Sequence, residues 1–137
     1  MDWLKKPENL LLTDAVGAVA TALATGLFLA TSLLPTGIPS WILWVLSLAA
    51  AGYAVFDILS YRLAHGSSWP LATIGGLNLL YCATAIGLCL GHWSSLTVFG
   101  AIYFGLESAI VIPLAIMELW VSTRNLKSQI WNMKSKR

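Results

Sequence analysis

The chain has 137 residues, 58% hydrophobic and 10% charged, with a mean hydropathy of +0.76 and a net charge of +2. A soluble domain carries roughly 25% charged residues, so this composition sets the chain apart from soluble domains and reads as one integral membrane domain spanning residues 1–137. The small net charge offers no electrostatic footprint for nucleic acid.

Residues 1–9, MDWLKKPEN, form a short amphipathic lead-in, with Trp3 suited to the membrane interface and Lys5 and Lys6 to the cytoplasmic side. Span one covers about 10–34; its apolar run is far longer than the roughly 7–15 residues of a signal-peptide core, so it reads as retained. The stretch PTGIPS (35–40) breaks the helix with two prolines and a glycine. Span two, about 41–63, opens with the interfacial Trp41 and Trp44 and closes with Tyr61 and Arg62. After the loop AHGSSWP (64–70), span three runs over about 71–91, and a short turn at 92–94 leads into span four, about 95–122. About 20 apolar residues at roughly 1.5 Å each cross the hydrocarbon core, and every span meets that length.

The tail 123–137 places Leu126, Ile130 and Met133 on one helical face among basic residues. It reads either as a basic helix lying on anionic lipid or as a solvated extension. Four spans put both termini and the middle loop on one side. That side holds all eight basic residues, namely Lys5, Lys6, Arg62, Arg124, Lys127, Lys134, Lys136 and Arg137. The positive-inside rule then gives N-in, C-in. The expected fold is an all-α membrane protein, an antiparallel four-transmembrane-helix bundle.

Three- and four-residue spacing marks the face that each span turns to its neighbours. Span one gives Asp14, Ala18, Thr21, Thr25, Phe28 and Ser32; span two gives Ser47, Ala50, Ala54, Asp57 and Tyr61. Span three gives Gly75, Asn78, Cys82, Ala85, Cys89 and His92; span four gives Gly100, Phe104, Glu107, Val111, Leu114 and Glu118. Leu23, Leu27, Leu43, Leu46 and Ile110 fall on oily outward faces. By helical rise, Asp14, Asp57, Asn78 and Glu118 lie about 6–10 Å inside the cytoplasmic boundary and form one layer.

Glu107 lies two to three turns deeper, with Tyr81 and Tyr103 in reach. An ionisable group at mid-bilayer costs about 2.5–3.5 kcal/mol even on lenient scales, which marks it as functional by default. No lysine or arginine lies in a span interior, so this carboxyl is stable only as the neutral acid or against an arriving cation. The candidate binding set is therefore Glu107, Asn78, Tyr81, Tyr103, Asp14, Asp57 and Glu118. For Asp14, Asp57 and Glu118 an anchoring role beside Arg62, Arg124 or the N-terminal lysines is equally open, and Asn78 serves equally well as a packing amide. Cys82 and Cys89 are seven residues apart on one helix, about 10 Å, too far for a disulfide. His65 and His92 fall on opposite sides and make no metal site alone. The sequence names no metal, cofactor or second catalytic group. Pro113 frees the carbonyl near Ala109, either as a kink beside the site or as an ordinary membrane proline.

The segments TDAVGA (13–18), GIP (37–39), NLLYC (78–82), LT (96–97) and YFGLE (103–107), with Glu118, together resemble a family of small four-span bacterial inner-membrane proteins that has no assigned activity. The resemblance covers nearly the whole chain and implies a bacterial inner membrane. It carries no catalytic residue over, and Asp57 departs from its pattern. PTGI (35–38) is superficially similar to small multidrug resistance transporters, but their membrane acid lies in span one, not span four. Three functional readings follow. The first is binding or translocation of a proton, cation or small ligand, with homo-oligomerisation if a path must cross so thin a bundle. The second is an accessory subunit without a site, and the third, less favoured, an enzyme acting on a lipid-like substrate through Glu107.

Overall fold

The computed structural model describes residues 7–63 and 69–134, and the regular elements among them are all helical. Helix α1 (Pro7–Leu23) continues directly into a π-helical segment, Ala24–Leu29. Helices α2 (Ser40–Leu63), α3 (Trp69–Gly91) and α4 (Val98–Lys134) follow. Four stretches, Glu8–Leu29, Ser40–Arg62, Trp69–Gly91 and Val98–Ser128, are long and apolar enough to cross a membrane. The four-helix membrane bundle expected from the sequence is therefore the observed fold. The Trp3, Lys5, Lys6 and His65 assignments lie outside the described residues, as do Lys136 and Arg137.

Local chemistry sets the helix starts. Pro7 occupies the first position of α1, where its missing N–H costs nothing, and Glu8 complements the helix dipole. Thr97 caps α4, its Oγ1 accepting from the Gly100 N–H at 3.0 Å. The helices associate as two hairpins, α1 with α2 and α3 with α4, with thinner contact between them. Gly75 lets α3 approach α4 closely: a Cβ there would stand 3.0 Å from the Ala115 carbonyl oxygen.

At the end opposite the chain termini, the two connecting turns lock together. Thr97 N–H donates to Thr36 O (2.9 Å), Thr97 Oγ1 to Pro35 O (2.7 Å) and Ser95 Oγ to Gly37 O (2.9 Å). Gly37 takes a φ of +83° against this contact, and Ile38 beside it plugs into the core. The GIP and LT segments thus meet in space.

Several side-chain placements differ from the expectation. Span one leaves its helix at Leu29, not Leu34. Phe28, expected inside, is 50% exposed, while Leu29 and Ala30 are buried. The π-helical segment explains this, since its Ala30 N–H reaches back five residues to Thr25 O (2.8 Å). One extra residue per turn rotates everything beyond it by about 100°, moving the core positions one place along. Ser32, also expected inside, lies exposed in the turn that follows. Leu43 and Leu46, expected to face lipid, are buried and pack with Leu29, Ile38 and Phe104. Tyr61 is exposed, and its neighbour Ser60 is buried instead. The basic tail is helical but is a continuation of α4. At 37 residues, or about 55 Å, that helix exceeds the roughly 30 Å hydrocarbon core. Pro113 is accommodated within it.

Candidate functional site

Two apolar clusters bracket a polar mid-section. Leu10, Leu11, Leu71, Ile74 and Val121 close the end near the termini; Leu29, Ile38, Leu43, Leu46 and Phe104 close the turn end. Between them every helix contributes a polar side chain, and these fall into the two layers read from helical rise.

In the first layer Asn78 Nδ2 donates to Asp14 Oδ1 at 2.9 Å and to Glu118 Oε2 at 3.4 Å. Asp57 lies against Asp14 and near Glu118. Asp57 and Glu118 are fully buried, and Asp14 and Asn78 nearly so. Lys5 and Lys6, two of the cations named for the anchoring role, lie outside the described residues. Among the described residues, however, Asp14 Oδ2, both Asp57 oxygens and Glu118 Oε1 find no hydrogen-bond donor. Asp14 and Asp57 therefore present acceptor to acceptor across the α1–α2 interface. One shared proton would turn that repulsion into a hydrogen bond.

This arrangement makes a direct prediction. Asp57→Asn supplies an amide N–H toward Asp14 without changing the side-chain volume. It is expected to stabilise the protein by about 1–2 kcal/mol, the scale of a buried hydrogen bond gained. Unfolding of the purified protein in mixed micelles measures it, and a loss of stability would mean that Asp57 is already satisfied.

The second layer centres on Glu107 of α4. Tyr81 Oη donates to Glu107 Oε1 at 3.3 Å, and Thr21 and Tyr103 stand beside the same carboxyl. Tyr81 is held edge-on by Tyr53, with ring centroids 6.3 Å apart. Tyr103, one turn before Glu107, shares a 3.1 Å hydrogen bond with Thr25. Thr25 is fully buried within the π-helical segment. Just before that segment, Ser47 Oγ donates to Ala22 O at 2.7 Å. Gly26 permits this contact, because a Cβ there would come within 2.6 Å of Ser47 Oγ. Thr25 and Ser47 thus tie the irregular turn to the site. Sequence periodicity put Thr25 on the correct face but gave no sign of the π geometry that sets its phase.

Glu107 Oε2 has no hydrogen-bond partner among the described residues. The group borders a cavity of about 220 Å³ that also reaches Asp14, Asn78, Tyr81 and Tyr53. The cavity exists because α1 and α2 present small side chains to it, Gly17, Ala18, Thr21 and Ala50 among them. Of the seven candidate residues, Glu107, Tyr81, Asn78 and Asp14 line this space. Tyr103, Asp57 and Glu118 do not line it: Tyr103 stands beside Glu107, Asp57 beside Asp14, and Glu118 beside Asn78. Sequence reasoning missed Tyr53 and the glycine at position 17, because nothing in an apolar span marks which small residue borders a void. Among the described residues no three His, Cys, Asp or Glu side chains group to hold a metal ion. His92 Nδ1 lies 3.0 Å from Leu88 O at the end of α3, away from the cavity.

Searches against protein-family models, curated proteins and solved structures return no match to this chain.

Proposed function

We propose that this chain is a small multi-pass protein of the bacterial inner membrane, with both termini cytoplasmic, whose bundle core binds a proton or a small cationic ligand at Glu107. The membrane assignment rests on four apolar spans, the orientation on the eight one-sided basic residues, and the bacterial setting on the motif resemblance. One observation carries the site: a buried carboxyl with one oxygen that, among the described residues, has no hydrogen-bond partner, beside a cavity that no described basic side chain lines. An accessory subunit without a site of its own is expected instead to have a closed, dry core and to be indifferent to Glu107→Gln. The basic end of α4 adds a contact to anionic lipid, roughly 1 kcal/mol for each cation near the surface.

The test is a pH jump over proteoliposomes on a solid-supported membrane. The wild-type protein is expected to give a binding current that Glu107→Gln lowers at least tenfold. An undiminished current in Glu107→Gln would dismiss the site.

A further inference from the structure

The position of the cavity mouth restricts what can reach Glu107. The cavity opens between α1 and α4, where Gly17, Ala20 and Ile110 are exposed; Ile110 is 70% exposed. Its floor is formed by Ala50 and Tyr53 of α2 and by Asn78 and Tyr81 of α3. Gly17 is ten residues into α1 and Ile110 twelve residues into α4, so both lie about 15–18 Å along their helices. That depth is the middle of the hydrocarbon, and the apolar clusters close the bundle at both ends. A guest entering here is dissolved in the bilayer.

The mouth's walls are apolar, and the polar groups waiting inside include acceptors without donors, Glu107 Oε2 and Asp14 Oδ2. Among the described residues no basic side chain lines the cavity, so it complements a donor or a cation and opposes an anion. Its volume exceeds the roughly 150 Å³ that accepts a benzene-sized guest in other proteins.

From this geometry, and resting on the Glu107 reading above, we infer that the ligand is an amphiphilic amine. It enters sideways from the bilayer between α1 and α4, leaving its chain among the lipids. The amine crosses the hydrocarbon as the neutral base, since a bare ammonium there would carry a large desolvation cost. At the site the Glu107 O–H bond breaks and an N–H bond forms. The products are an ammonium on the ligand and a carboxylate on Glu107, with Tyr81 Oη already donating to Oε1. One proton moves, and no other reactant is needed.

The experiment uses the full chain in lipid nanodiscs and a dodecylamine that carries a photoactivatable diazirine on its chain. Illumination is expected to label residues 17–21 and 110–114, and excess dodecylammonium to remove that label. Dodecanol, dodecanoate and ethylammonium at the same concentration should leave it. Glu107→Gln is expected to cut labelling at least tenfold. Gly17→Leu should cut it at least fivefold, and nothing lies within 4 Å of a Cβ built there. Labelling spread evenly over lipid-facing positions such as Leu27 and Leu106, and indifferent to Glu107→Gln, would overturn both the amine and the site. Label lost in Glu107→Gln but kept in Gly17→Leu, and competed equally by ethylammonium, would leave the site standing and overturn sideways entry. Equal competition by dodecanol would overturn the amine class. The competitor series needs no variant, so it decides the ligand class even if a mutant folds poorly.

Discussion

Asn78→Leu is expected to cost the fold about 2–5 kcal/mol, the largest loss from any single change in the polar core. The asparagine amide is the donor recorded for both Asp14 Oδ1 and Glu118 Oε2. Leucine keeps a similar volume but leaves two nearly or fully buried carboxyl oxygens without that donor. Each stranded acceptor costs about 1–3 kcal/mol, and more if it carries charge. The partners make the prediction specific. In the double variant Asn78→Leu/Asp14→Leu the part of the loss due to Asp14 Oδ1 should return, because an apolar pair replaces a broken polar one, while Glu118 Oε2 stays without its donor. Reversible unfolding in mixed micelles reads both variants. Full additivity of the two losses would show that Asn78 and Asp14 act independently and that the layer is not one network.

Gly37→Ala is expected to cost about 3–5 kcal/mol at the other end of the molecule. A φ of +83° disfavours any L side chain by about 1–2 kcal/mol. The added Cβ would also stand 1.8 Å from the Ser95 carbonyl oxygen, and backbone has no rotamer by which to yield. The turns must part, which breaks the Thr97–Thr36, Thr97–Pro35 and Ser95–Gly37 hydrogen bonds, each worth roughly 1 kcal/mol. The same unfolding assay measures the loss. Hydrogen exchange at the Thr97 amide should rise in parallel, since its acceptor is Thr36 O. An unchanged Thr97 amide would mean that the turns separate without consequence, and that the hairpins are joined elsewhere.

The two predictions probe parts of the molecule that differed in legibility. The polar layer was readable. Charged and amide side chains in hydrocarbon must find one another, so rise and periodicity alone place Asp14, Asn78, Asp57 and Glu118 together. Glu107 was legible for the same reason. Where a span holds only apolar residues, the argument fails. Leu43 and Leu46 read as lipid-facing yet lie in the core. A bilayer rewards leucine equally on the inner and outer faces of a helix, so hydropathy carries no direction there. Phe28 and Ser32 failed differently. Their phase depended on a π-helical turn that no residue pattern announces.

What the sequence determined by itself is the number of apolar spans, the one-sided basic charge along the chain and the inward acids. Each follows from the cost of placing polar or charged groups in hydrocarbon, a cost every residue incurs wherever its neighbours sit. Only the tertiary structure decided which small residues border empty space and where that space opens. A void is a property of how far two hairpins stand apart, and Gly17, Ala20 and Ile110 become a mouth only because α1 and α4 do not close on each other there.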